Sequence, residues 1–241
     1  MKRNRVLAVP AMIAALAFCA GASATVITVT SQAGATSPTD GRPLGATAEF
    51  DFDNTCTTGC SLTLILANTQ TMTGISQGLT DFHFTSTSSS FALTGADGAS
   101  FADCTSGTNP CTFTDAAADP GSYGWTLTGT GPYTLAATPL PNAGIVNANI
   151  DATSDGVRNG SHNPWLVGPV DFFFTYSGLF NVSNVAFSFG TNPDSPTVPG
   201  CTTNCGDQPP PPTVPEPASL ALLAAGMIAI AANRRRTRTR A

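Results

Sequence analysis

Between residues 26 and 189, large apolar side chains return at every second position in short runs, and glycine, proline, asparagine and aspartate separate the runs. In Ser61-Leu62-Thr63-Leu64-Ile65-Leu66, in Asp81-Phe82-His83-Phe84 and in Val185-Ala186-Phe187-Ser188-Phe189 this period of two puts the bulky groups on one face of an extended chain. The pattern predicts strands over 26–30, 46–52, 61–68, 81–86, 91–94, 122–127, 133–136, 170–176 and 184–189. Strands with one apolar face must cover that face, which predicts an all-β, jelly-roll-like sandwich over 25–198. Residues 139–169 have no period and are rich in glycine, asparagine and proline, so they read as a long ordered loop. The polar faces carry threonine and serine more than lysine and glutamate, which leaves strand edges poorly guarded by charge.

The two ends follow other patterns. Residues 1–24 run from a basic start through an apolar stretch over 6–20 to Ala22-Ser23-Ala24, the small-x-small pattern that signal peptidase accepts. They are expected to be a signal peptide cleaved after Ala24, because the apolar stretch is shorter than a bilayer span of about 20 residues. Near the other end, residues 199–213 form a cysteine- and proline-rich linker closing in Pro209-Pro210-Pro211-Pro212, a stiff extended spacer. Val214, Pro215, Glu216 and Pro217 then precede an uncharged apolar stretch, 218–232, where Pro217 suits a helix start. A helix of that length spans roughly 22 Å, short of a hydrocarbon core of about 30 Å. Arg234, Arg235 and Arg236 follow it as a basic stop.

Charge sharpens this division. The chain has 241 residues, of which 10% are charged, and its formal net charge is −5. Of the basic residues, only Arg42 and Arg158 lie between the termini, and Lys2 is the one lysine. All fifteen acids fall between Asp40 and Glu216, so that stretch carries a net −13. Such a surface repels phosphate backbones, which argues against nucleic-acid binding. The positive-inside rule keeps both basic ends cytoplasmic and places the acidic middle across the membrane.

Pro215-Glu216-Pro217, an apolar helix and a terminal arginine cluster together resemble the PEP-CTERM sorting domain of Gram-negative bacteria. The resemblance covers residues 214–241. It implies recognition of the tail by an exosortase, a membrane-embedded enzyme resembling cysteine transpeptidases, at least transient membrane anchoring through 218–232, and delivery to the cell surface or beyond. It also implies association with extracellular polysaccharide or biofilm. Residues 46–68, 74–79, 162–170 and 185–190 are similar to an ectodomain that recurs with such tails, and no activity travels with that similarity.

Seven cysteines are present, and Cys19 leaves with the signal peptide. The others form close pairs, Cys56 with Cys60, Cys104 with Cys111 and Cys201 with Cys205. In an exported chain an even count reads as disulfides, and local pairing closes short turn-like loops. Metal knuckles are the rival reading, but they need free thiolates and converging pairs, so no metal or cofactor is expected.

Catalytic signals are sparse. Gly74-Ile75-Ser76-Gln77-Gly78 matches G-x-S-x-G by letters, yet a nucleophile elbow needs a helix after the serine, and Leu79-Thr80-Asp81-Phe82-His83-Phe84 reads as a strand. A secreted hydrolase using Ser76 requires His83 or His162 within hydrogen-bonding reach. Asp51 and Asp53 lie on one strand face about 7 Å apart, spacing that suits a cation or an acid/base pair but equally suits solvated surface acids. Tyr123, Trp125, Tyr133, Trp165 and Tyr176 form a sugar-stacking platform only if they gather on one exposed face. The expectation is a non-enzymatic surface or matrix protein, with a carbohydrate-binding module as the alternative.

Overall fold

The computed structural model describes residues 24–98, 100–106, 110–115, 124–138, 143–154, 156–192 and 195–202. The signal peptide up to residue 23, Tyr123, Cys205, the sorting residues and the terminal arginines lie outside them.

The described residues form fourteen strands: β1 (Ala24–Ser31), β2 (Ala46–Asp53), β3 (Cys60–Asn68), β4 (Leu79–Thr85), β5 (Ser89–Asp97), β6 (Ser100–Asp103), β7 (Thr112–Asp115), β8 (Trp125–Gly129), β9 (Pro132–Ala137), β10 (Ile145–Val146), β11 (Trp165–Val167), β12 (Val170–Ser177), β13 (Ser183–Asn192) and β14 (Ser195–Cys201). Among the described residues helix is confined to two 3₁₀ turns, Ile75–Gln77 and Gly160–His162. No helix among the described residues is long and apolar enough to cross a membrane.

The fold is all-β, as the period of two predicts, and its two layers belong to one hydrogen-bonded path. That path runs β5-β12-β3-β2-β1-β14-β13-β4-β10-β11-β6-β7, with β9 also on β4 and β8 on β9. Registers show why one face is apolar. Ile27, Phe50, Leu64, Phe172 and Ala96 stand opposite one another across five strands, and Phe50, Leu64 and Phe172 are fully buried. Along the path, β1 joins the halves, and its ladder to β14 covers only Thr30 and Ser31. The halves meet ring to ring, with Phe50 of β2 5.9 Å from Phe82 and 5.7 Å from Phe84 of β4. Trp125 of β8 sits 5.4 Å from Phe172 of β12.

The outer face differs. Glu49, Asp51 and Asp53 alternate along β2, while Asp171 of β12 stands directly opposite Asp97 of β5. Burial, with the Asp97 charge added, pushes the Asp171 carboxyl above its ordinary range. Phe173 lies across Gly95 on this face, where a Cβ on Gly95 would come within 3.2 Å of the ring.

Residues 139–169 are not a plain loop. They contribute β10 and β11, which pair in parallel, and β11 pairs with β6 in turn. A bridge between Met72 and Ile150, with Met72 donating to the Asn149 carbonyl at 3.0 Å and accepting from Asp151 at 2.8 Å, pins the stretch between them. Under these segments lies a second, smaller cluster of Met72, Ala102, Cys104, Cys111, Val146, Ala152, Val157 and Trp165.

Candidate functional site

Each residue of the G-x-S-x-G match has a packing role. A Cβ on Gly74 would fall 2.7 Å from Cζ of Arg42, so only glycine lets the guanidinium lie there. A Cβ on Gly78 would fall 2.9 Å from the Trp165 ring. Between them Ser76 is buried and donates its hydroxyl to Oδ2 of Asp40 at 2.7 Å. Ser76 is not among the residues with positive φ, and β4 follows the 3₁₀ turn directly, so the strained elbow and its helix are both missing.

Asp40 and Arg42 are functional-looking partners that the strand pattern does not reveal. They sit on a tight loop in which Gly41 donates to the Ser37 carbonyl and Ser37 to the Arg42 carbonyl, both at 2.8 Å. Arg42 pairs with Asp40 through Nη1 and donates from Nε to Thr73 Oγ1 at 3.1 Å. Gln77 completes the clamp, its amide nitrogen donating to the Pro43 carbonyl at 3.0 Å while its oxygen accepts from the Thr73 backbone at 2.8 Å. Burial works against the Asp40 charge, but hydrogen bonds from Ser76, Ser37 and Arg42 outweigh it and hold the carboxyl down to about 2. A carboxylate held so firmly, with its serine as donor, is a fastener between loop and turn.

The histidines stand apart from this arrangement in their bonding. The ring nitrogens of His83 meet the Thr134 and Ser188 hydroxyls, each at 3.1 Å. His162 lies 6.4 Å from the Trp165 ring, its Nδ1 buried with no hydrogen-bond partner, and burial lowers its pKa. No hydrogen bond joins Ser76 to either ring among the described residues.

Four of the five candidate stacking rings are described, and they point inward. Trp125, Tyr133, Trp165 and Tyr176 are 2%, 4%, 0% and 1% exposed, so these four provide no stacking platform. Their polar atoms are used internally: Trp125 donates to the Ala143 carbonyl at 2.7 Å, Trp165 to Val157 at 3.1 Å and Tyr133 to Ser88 at 3.2 Å. Among the described residues the large apolar groups that are exposed are Val26, Phe113, Phe173 and Leu179, which are scattered over different strands and loops.

Asp51 is exposed on β2, whereas Asp53 turns to its own loop and accepts from the Thr55 hydroxyl at 2.6 Å and the Thr55 backbone at 2.8 Å. Those bonds lower the Asp53 pKa. Among the described residues no group of three or more His, Cys, Asp or Glu gathers as a metal site. The cysteines pair locally: Cys56 with Cys60 and Cys104 with Cys111, with Cα atoms 5.7 and 4.5 Å apart. Cys201 is also disulfide-bonded.

Residues 213–236 match the family model of the PEP-CTERM protein-sorting motif. The matched stretch contains Val214, Pro215, Glu216, Pro217, Arg234, Arg235 and Arg236, and the chain therefore carries this motif. The motif implies an exported protein recognised by an exosortase and sorted to the cell surface of a Gram-negative bacterium. No curated protein and no solved structure matches the chain.

Proposed function

We propose that this chain is a non-catalytic envelope protein whose acidic, sandwich-like β domain is carried across the inner membrane by a cleaved signal peptide. In this reading the helix over 218–232 holds it in the membrane until exosortase acts on the Pro215-Glu216-Pro217 element. It then serves at the surface or in the extracellular matrix, in contact with extracellular polysaccharide. The observation that carries the reading is the sorting-motif match over 213–236. A non-catalytic role is supported by the engagement of Ser76 with Asp40 and of His83 with two hydroxyls. The polysaccharide association rests on the tail, since the four buried rings give it no platform.

Intact-mass measurement of surface-extracted protein, from cells with and without exosortase, tests the proposal. With the enzyme the mature chain is expected to end near Pro215, and without it to retain Arg234, Arg235 and Arg236. Glu216→Gln should then block the trimming. A chain that keeps its arginines in both strains makes the tail a permanent anchor and overturns the exosortase step.

A further inference from the structure

The crossing from β4 to β5 and the start of β5 read Ser86-Thr87-Ser88-Ser89-Ser90. Together with Phe91, Tyr133 and the β8–β9 turn residues Gly129 and Thr130, they line an open depression of about 600 Å³. That volume falls within the range of about 300–1,000 Å³ that small-ligand sites occupy. The crossing is pinned in place: Ser88 donates its hydroxyl to the Leu179 carbonyl at 3.2 Å, Ser89 to the Ser177 carbonyl at 3.4 Å, and the Thr87 backbone donates to Asn181 Oδ1 at 3.0 Å. On the turn side the Ser86 backbone donates to the Gly131 carbonyl at 3.2 Å. Thr87, Ser90 and Thr130 are exposed, and their hydroxyls bond to no described residue. None of the lining residues is charged, although the stretch from Asp40 to Glu216 carries a net −13.

Ser90 has an unusual conformation. Ser89 stands opposite Ser177 and Ala92 opposite Thr175, so Ser90 and Phe91 together face the single residue Tyr176 in a β-bulge. The φ of Ser90 is 55°, in the left-handed region that such a bulge ordinarily gives to glycine. A serine held there carries a strain that glycine would not, and what it adds is an exposed hydroxyl at the rim. Beside it, half-buried Phe91 packs on Tyr133 with ring centroids 5.0 Å apart, which gives the depression an apolar side.

We propose that this depression binds an uncharged sugar chain, with the hydroxyls of Thr87, Ser90 and Thr130 bonded to sugar hydroxyls and Phe91 against sugar C–H groups. The inference rests on the polysaccharide association above and supplies it with a site and a ligand class. A hydroxyl both donates and accepts, so it matches a sugar hydroxyl in either sense. An ionic ligand would lose water here and find no counter-charge. Because the depression is open, it admits an internal stretch of a polymer whose two ends run out into solvent.

The test is affinity electrophoresis of the surface-extracted protein in non-denaturing gels that contain the producing strain's own extracellular polysaccharide, separated into neutral and acidic fractions. The neutral fraction should retard the wild-type protein. The double change Thr87→Val with Thr130→Val keeps both side-chain shapes and removes two hydroxyls, and it should weaken binding about tenfold. Ser90→Gly should weaken binding too while raising the urea midpoint, because glycine accepts the positive φ without strain. A residue with a merely structural role would move binding and stability in the same direction. Wild-type affinity for the neutral fraction in both variants overturns the site and leaves the polysaccharide association standing, as does retardation by the acidic fraction alone. No retardation of the wild-type protein by either fraction overturns both.

Discussion

The two apolar clusters are built by different means. The larger one fills the space between the sheet halves with side chains that alternation delivers, Phe50, Leu64, Phe82, Phe172 and Phe187 among them, each fully buried. The smaller one lies beneath segments that have no period of two and draws on covalent and polar fastening. Cys104 and Cys111 close a bridge within it. Asn163 donates to the Val157 and Asn159 carbonyls at 2.9 and 3.0 Å and accepts from the Cys104 backbone at 2.8 Å. The contrast teaches that long paired strands hold themselves by burial, whereas short segments need specific partners to stay down.

Breaking the larger cluster should have the largest effect. Phe50→Ala removes a ring that touches Phe82, Phe84 and Phe180, and it is expected to cost about 3–5 kcal/mol. The loss should appear in urea unfolding as a lower midpoint of the whole transition. The double change Cys104→Ala with Cys111→Ala is next, at about 2–3 kcal/mol for a loop this short. Its signature is local: amide exchange should quicken over 100–115 and 157–167 while β2, β3 and β12 keep their protection. If instead the whole domain loosens equally, the two clusters are one cooperative unit and the contrast fails.

The smallest effect concerns the Asp40 fastener. Its folded-state pKa, about 2, lies below the ordinary 3.8, so its contribution is fully present above pH 3.8 and fades as pH falls toward 2. The side chain is 24% exposed, and with solvent screening allowed for this amounts to about 1 kcal/mol. Asp40→Asn should therefore lower the urea midpoint at pH 6 and make the drop between pH 4 and 2.5 shallower. It should leave some slope, because Asp53 and Asp103 are also held low by hydrogen bonds from Thr55 and Thr105. An unchanged pH profile would remove the fastener from the account.

Legibility in the sequence follows the same division. β1–β5, β8, β9, β12 and β13 are readable because each repeats its apolar positions or is rich in aromatic and β-branched residues. β6 and β7 have four residues each and β10 has two, too few to show a period. β14 carries Pro196 and Pro199, which argue against a strand, yet Pro199 stands opposite Ala186 in the ladder. Local cysteine spacing announced the bridges at Cys56–Cys60 and Cys104–Cys111. The Asp40 site was hidden for a different reason. Ser37-Pro38-Thr39-Asp40-Gly41-Arg42 reads as a turn, and nothing local says that Ser76, 36 residues away, will be the donor. Likewise, alternation shows which rings are apolar but not that Trp125 and Trp165 find internal carbonyls, which is what removes them from the surface.

The start of β1 has a practical corollary. Lys2 is the one lysine in the chain, so a protein that begins at Thr25 has a single primary amine, the terminal one. Amine-directed reagents would then modify one atom, located at the margin of the sheet next to Asp51 and Asp53. A fluorophore or biotin placed there by ordinary chemistry would mark one defined end of the domain without any engineered residue.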